Sequence, residues 1–264
     1  CWYCLVAKAT TRCPERRVYG ITYGLADGPA GGWAQAIHLK AGTRCVRLDG
    51  VDPERFMAGG CALPSALHAV ERGRVGIGDA VLVLGSGPVG LAAVALSRMQ
   101  GALTVLCIGA PAARLRAAES MGASATLDIG RAGETRRREW VLERTGGRGA
   151  DVTIEAAGAP EAVVQAMRFT RDAGRVVVSG QYTDGGDASF NPHADLNRRH
   201  LEVLGCWGSD FSHLHRAARI MADAERSAPW SRLPLTRYGL AAAGDALDDV
   251  ASGQVVKALI DPAR

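Results

Sequence analysis

Several things are scarce in this chain, and each scarcity excludes a class of protein. Of its 264 residues only 22% are charged, and the formal net charge is +4. There is thus no excess of one sign of the kind that drives nucleic-acid binding. The one basic run, Arg136-Arg137-Arg138, lies between Glu134 and Glu139 and reads as a solvated helix start. Nucleic acid is not an expected partner. Long apolar runs are also missing. The uncharged stretch from Ala80 to Ser97 comes nearest, but Gly85, Gly87, Gly90 and Pro88 divide it into strand, turn and helix. A membrane is not expected either. There is no internal repeat and no low-complexity linker. The seven cysteines are an odd number, which argues against a disulfide framework and for a reducing, cytoplasmic setting with metal sites. The chain opens on Cys1-Trp2-Tyr3-Cys4 with no initiator Met, no basic n-region and no signal-like apolar segment, and reads as cut into rather than begun.

What is present is concentrated in Gly78-Asp79-Ala80-Val81-Leu82-Val83-Leu84-Gly85-Ser86-Gly87-Pro88-Val89-Gly90-Leu91. An apolar strand runs into G-x-G-x-x-G, and an Ala/Val/Leu-rich helix follows. Gly85 permits the tight turn, Gly87 lets backbone approach a pyrophosphate, and Gly90 lets the helix pack on the strand. The helix N-terminus, opening at Pro88 and Val89, offers free N–H groups and a positive dipole end to phosphates. The strand–turn–helix context is what gives the motif its weight as a dinucleotide site.

From there the pattern alternates. Strands are expected at Val81–Leu84, Thr104–Ile108, Ala125–Ile129, Val152–Ala156, Arg175–Ser179 and Leu201–Cys206. Helices are expected between them at Leu91–Met99, Ala112–Met121, Arg138–Arg144 and Glu161–Arg171. That alternation predicts an α/β protein with right-handed crossovers and a doubly wound parallel sheet of six strands. The flanks differ. Before residue 62 there are scattered β-like pieces, Ala34–Leu39 and Cys45–Leu48, and helical period begins only at Glu54. After Cys206 come a helical stretch at Leu214–Ala224, Pro229 and Pro234, a helix near Ala241–Ala251 and a terminal strand at Val255–Ile260. The middle therefore reads as a domain inserted between two pieces of another.

That layout, with Cys1, Cys4 and Cys13 ahead of it, resembles the zinc-dependent medium-chain alcohol dehydrogenases over essentially the whole chain. The resemblance implies a Rossmann-type domain at 63–206 inserted in a partial GroES-like β domain. Residues 1–62 would be the C-terminal part of that β domain with its structural-zinc lobe, and 207–264 the segment that returns to it. The C-x₂-C spacing of Cys1 and Cys4 suits two thiolates on one tetrahedral ion, and Cys13 can close the loop. The family's lobe uses four cysteines, so the fourth is expected just upstream of Cys1. In Gly59-Gly60-Cys61-Ala62-Leu63-Pro64-Ser65, Cys61 stands where the family supplies a catalytic-zinc ligand, and Ser65 where a small hydroxyl lies against the nicotinamide. The remaining catalytic ligands and the proton relay would lie upstream. His68 reads as structural, and His193, His200, His213 and His215 as surface or packing residues.

The cofactor is expected to be NAD or NADP, beside zinc. A strand-end acid that takes the ribose hydroxyls favours NAD, but here Gly109 stands in that place. Arg114 matches a basic residue that contacts the adenosine ribose in the family and can turn to a 2′-phosphate. Lys257 matches an Arg or Lys reaching the pyrophosphate, and Gln181 falls among the cofactor and substrate contacts. The implied reaction is hydride transfer between an alcohol, or its aldehyde or ketone, and nicotinamide, with zinc as Lewis acid. The partners implied are a small alcohol or carbonyl substrate and further copies of the chain, as a dimer or tetramer. Two other readings stay open: a zinc-free quinone or enoyl reductase of the same superfamily, and a non-catalytic dinucleotide-binding protein.

Overall fold

The computed structural model describes residues 1–263. The first fifty residues hold little regular structure: α1 (Trp2–Leu5) and single 3₁₀ turns at Thr10–Arg12 and Leu25–Asp27. The expected extended pieces Ala34–Leu39 and Cys45–Leu48 are not strands. Neither finds a ladder partner among the described residues, and extended backbone without one is not a sheet. Ile37 and Leu39 accordingly stay exposed. Regular structure begins at α2 (Pro53–Gly59), where Asp52 caps the amide of Glu54 and proline takes the first helical position. Gly60, at φ +50°, turns the chain into α3 (Ala62–Arg72).

The alternation then runs as the sequence predicts. It comprises β1 (Ala80–Leu84), α4 (Pro88–Met99), β2 (Thr104–Gly109), α5 (Ala112–Ser120), β3 (Ala125–Asp128), α6 (Glu134–Arg144), β4 (Ala150–Glu155), α7 (Pro160–Phe169), β5 (Thr170–Val178) and β6 (Glu202–Gly205). All neighbours pair in parallel, in the order β3-β2-β1-β4-β5-β6. Strand periodicity of two divides the core. Val81 and Val83 face the side covered by α3 and α4, with Leu91, Val94 and Leu63. Leu82 and Leu84 face the other side, with Trp140 and Val141 of α6 and Met167 and Phe169 of α7.

Several boundaries move, among them the helix start expected at Arg138, which lies at Glu134, and the strand start expected at Arg175, which lies at Thr170. The helix expected to reach Arg171 stops at Phe169, because Thr170 already belongs to β5, its hydroxyl 2.7 Å from that of Thr153 across the ladder. Leu201 and Cys206 flank β6 rather than extend it. The helical stretch at Leu214–Ala224 is two helices, α8 (Phe211–Ala222) and α9 (Ala224–Ser231), since Asp223 caps the amide of Arg226 and restarts the winding. Beyond them β7 (Leu235–Gly239) pairs in parallel with β8 (Lys257–Asp261), linked through α10 (Ala243–Ala251). Ala58, Ala217, Met221, Trp230 and Val256 share a core cluster with β1 and α4, so both flanks pack on the central sheet. No helix among the described residues is long and apolar enough to cross a membrane.

Candidate functional site

In this strand order the chain leaves β1 toward β2 on one side, while β4 lies on the other. The crevice at the carboxyl end of β1 is therefore the topological switch point, where open α/β sheets bind ligands. Gly85 opens the turn there at φ +106°, and a Cβ on it would lie 2.6 Å from the carbonyl oxygen of Ala156. A Cβ on Gly90 would lie 1.9 Å from the carbonyl oxygen of Gly85, so α4 can start this close to β1 only without a side chain. Gly87 differs from both. Nothing lies within 4 Å of where its Cβ would be, so its bare face is turned to open space. Pro88 takes the first helical position and Val89 packs against the core. A pocket of about 320 Å³ opens here, lined by Gly85, Ser86, Gly87, Gly109, Arg114 and Gln165 among others.

Two of the residues expected at the cofactor have further contacts within the protein. Gly109 is not merely an acid left out. A Cβ there would lie 2.4 Å from Ser86 Oγ and 2.8 Å from the Ser86 amide nitrogen. Ser86 is buried and donates its hydroxyl to the carbonyl of Ala110 at 3.0 Å, so the end of β2 and the glycine turn share one space. No side chain fits at 109 while that turn stands. Arg114 is not a free cation. It donates to the carbonyl of Val250 in α10 at 2.9 Å, tying the sheet domain to the C-terminal segment. Its Nε is buried without a protein partner, as is Nε2 of Gln181 beyond β5. Buried donors left unpaired cost free energy, and these two belong to residues that line the pocket or follow a strand at its edge.

Sequence reading missed Glu155. It is fully buried at the end of β4, and its carboxylate accepts the amides of Ala157 at 2.8 Å, Gly158 at 2.7 Å and Gly180 at 3.0 Å. It thereby clamps the turns after β4 and β5 to each other at the sheet edge that carries Gly85. The available signal was a carboxylate closing the apolar run Val152-Thr153-Ile154, with Gly158 three residues on.

Cys61 sits exposed at the start of α3, and Ser65 donates its hydroxyl back to the Cys61 carbonyl at 2.9 Å. Lys257 does not reach the glycine-turn pocket. Its ammonium lies beside the α2–α3 junction, 3.3 Å from where a Gly60 Cβ would be. Burial pushes its pKa down, opposed by the neighbouring Cys61. Among the described residues Cys61 belongs to no group of three or more metal-ligand side chains. A metal there would need donors beyond them, and no chemical step is derived through it. The other cysteines separate cleanly. Burial pushes the thiols of Cys107 and Cys206 up to about 12 and about 11, as for inert packing groups.

Cys1, Cys4 and Cys13 form the one group of three or more metal-binding side chains among the described residues, with ligand atoms within 4.8 Å of one another. The Cys1 and Cys4 sulfurs are 3.6 Å apart. Thiolates tetrahedral about zinc at about 2.3 Å stand roughly 3.8 Å apart, so the three fit such an ion. The Cys4 thiol is pushed up chiefly by its hydrogen bond with Cys13, the crowding that a cation relieves. The histidines fall apart as ligands. His193, His200 and His215 are exposed, whereas His213 is buried with its ring 4.7 Å from that of His68.

Sheet order, glycine turn and switch-point pocket define a dinucleotide-binding α/β protein. The family model described as zinc-binding dehydrogenase matches residues 88–223, and the chain belongs to that family. It is 34% identical to the 5-exo-hydroxycamphor dehydrogenase of Pseudomonas putida, over 88% of this chain and 64% of that enzyme. It is 29% identical to the erythritol/L-threitol dehydrogenase of Mycolicibacterium smegmatis, over 100% of this chain and 70% of that enzyme. The crystal structure of an alcohol dehydrogenase from Thermotoga maritima superposes with a TM-score of 0.87 at 28% identity, over 98% of this chain and 72% of that one. A zinc-binding dehydrogenase from Sinorhizobium meliloti bound to NADP superposes with a TM-score of 0.66 at 32% identity, over 76% and 57%. The chain thus spans between about half and three quarters of the length of these relatives.

Proposed function

We propose that this polypeptide is the cofactor-binding and flanking part of an NAD(P)-dependent alcohol dehydrogenase that carries zinc. The carrying observation is the glycine turn at the switch point, with one bare, outward-facing position at Gly87 between two sterically obligatory glycines. The pyrophosphate lies over Gly87 and the first amides of α4, where the helix dipole favours negative charge. Gln181 and Arg114 turn their unpaired donors to the bound dinucleotide, and the Glu155 clamp fixes the turns around it. Nicotinamide, when bound, would supply the hydride chemistry, and a zinc held in part by Cys61 would supply Lewis acidity for the substrate oxygen. In this reading Cys61 is a ligand contributed to the catalytic metal, Ser65 stands near the nicotinamide, and Lys257 acts on the Cys61 side of the cleft. The lobe of Cys1, Cys4 and Cys13 holds a structural ion. The domain limits follow the same reading: 1–62 and 207–264 belong to a GroES-like part, and 63–206 to the Rossmann domain.

The substrate is a small alcohol or its carbonyl product. Relatives named for camphor derivatives and for polyols do not narrow it further. The protein is a cytoplasmic homo-oligomer, dimer or tetramer, a state that light scattering reads directly. The full-length protein should reduce NAD or NADP with a panel of alcohols and hold bound zinc by elemental analysis. Cofactor binding without turnover of any alcohol or carbonyl would point to a binding protein. Turnover without zinc would point to the metal-free reductases.

A further inference from the structure

Residues 206–210, between β6 and α8, have no secondary structure of their own, yet each of the last four is held by a different side chain. The guanidinium carbon of Arg12 lies 4.9 Å from the ring centroid of Trp207. A ring nitrogen of His68 is 2.7 Å from the carbonyl oxygen of Gly208. Arg16 donates to the carbonyl of Ser209 at 2.6 Å. Thr10 donates its hydroxyl to the carboxylate of Asp210 at 2.5 Å. Three of these four holds come from residues 10–16, the same short segment that carries Cys13. Trp207 also stacks on Tyr182, centroids 5.4 Å apart at 7° between planes, and its indole N–H donates to the Tyr182 carbonyl at 2.9 Å. Tyr182 follows β5 and Trp207 follows β6, so the stacked pair stands at the sheet edge that carries the Gly85 turn.

The segment making these holds cannot keep its own shape. Residues 1–16 contain no buried side chain, and their only regular structure is a four-residue helix and one 3₁₀ turn. A segment without a core is ordered by cross-links or ions. Thr10 and Arg12 lie between Cys4 and Cys13, and Arg16 lies three residues beyond. Whatever fixes the three sulfurs therefore fixes the three side chains that grip the loop.

We propose that Thr10, Arg12 and Arg16 are positioning residues through which an ion held by Cys1, Cys4 and Cys13 orders the 207–210 loop and the Tyr182–Trp207 wall. The lobe then does more than stabilise the fold: its metal content sets the order of a stacked aromatic pair at the carboxyl edge of the sheet. This rests on the reading of the three cysteines as zinc ligands, and the experiment separates the two.

Hydrogen exchange of the amides of 181–183 and 206–211 is followed on the full-length protein, with zinc counted in the same samples. Cys4→Ser should lose one zinc and exchange about tenfold faster at these amides, with β1 and β2 unchanged. Thr10→Val should keep its zinc and still exchange faster there, whereas Thr10→Ser should restore the wild-type rate. In Arg12→Gln the emission of Trp207 should shift, and with Trp207→Phe added that shift should vanish. One zinc lost from Cys4→Ser with unchanged exchange at 206–211, or wild-type exchange in Thr10→Val, overturns the inference. A wild-type protein with no zinc on the lobe overturns the metal reading itself.

Discussion

The side chain of Glu155 accepts the amide of Gly180, so the turn after β4 and the turn after β5 are tied by one buried side chain. A Cβ on Gly180 would lie 2.5 Å from Oε1 of that carboxylate, so the approach demands glycine as well as the acid. Glu155→Gln keeps the shape but turns an N–H₂ group toward an N–H donor. It should destabilise the protein by about 1–3 kcal/mol, the usual cost of leaving a buried polar group unpaired. It should also weaken cofactor binding, because the turn after β4 that it clamps, at Ala156 and Ala157, lines the glycine-turn pocket. Urea unfolding and NAD(P)H titration on the same variant check both effects.

The Ser86–Gly109 contact changes what can be asked of cofactor choice. An acid at 109 looks from sequence like the simple way to restore ribose contacts. The structure predicts that Gly109→Asp, and even Gly109→Ala, disturbs the glycine turn and costs about 1–3 kcal/mol through overpacking. Its affinity for both cofactors should fall. A stable Gly109→Asp variant with sharpened NAD preference would show that the turn yields.

Arg114 should behave as a tie between segments. Arg114→Ala removes its bond to the Val250 carbonyl and should lower stability by about 1 kcal/mol. With its main donor engaged by protein, the change should weaken NAD and NADP alike rather than NADP alone. Parallel titrations with NADH and NADPH decide it. A loss confined to NADPH would mean that the guanidinium leaves Val250 to read a phosphate.

The pairing of His68 with His213 predicts a pH dependence. Burial pushes the His68 pKa down, with His213 and Arg72 adding to it, against the hydrogen bond to the Gly208 carbonyl and the charge of Asp210. A histidine whose folded pKa is lowered binds its proton better when unfolded. Stability should therefore be greatest above the unfolded value of about 6.5 and fall as pH drops through it. Asp210 is shifted down too, its burial outweighed by the Thr10, Ser212 and His213 hydrogen bonds. Its contribution is lost only at much lower pH, below about 4. Urea midpoints at about pH 7.5 and pH 5.5 should differ, and His68→Gln, which keeps a donor for Gly208, should flatten the difference. An unchanged slope in that variant would assign it elsewhere.

The sheet was legible because local signals agreed. Apolar strands, the helical stretches between them and the glycine spacing all point to one crossover fold, and Gly85 and Gly90 carry steric demands that their motif already implies. What was not legible lies in contacts distant in sequence. Arg114 bonding Val250, Glu155 bonding Gly180 and Lys257 standing by Gly60 each depend on which loops meet at one sheet edge. Ala34–Leu39 has the composition of a strand, but composition does not supply a partner. The break at Asp223 was local, yet a capping aspartate inside a helical period is easily read as an exposed polar position.

The most direct test of the central claim, that the Gly85–Gly90 turn receives the dinucleotide pyrophosphate, is a fluorescence titration of NADH and NADPH into wild-type protein and Gly87→Val. Position 87 has open space beside it and an ordinary φ near −72°, so the variant should fold and unfold in urea like the wild type. Its side chain would stand where the phosphates approach. The account predicts saturable binding to the wild type and affinity at least about tenfold weaker, roughly 1.4 kcal/mol, in the variant. Equal affinity in the two proteins would contradict it.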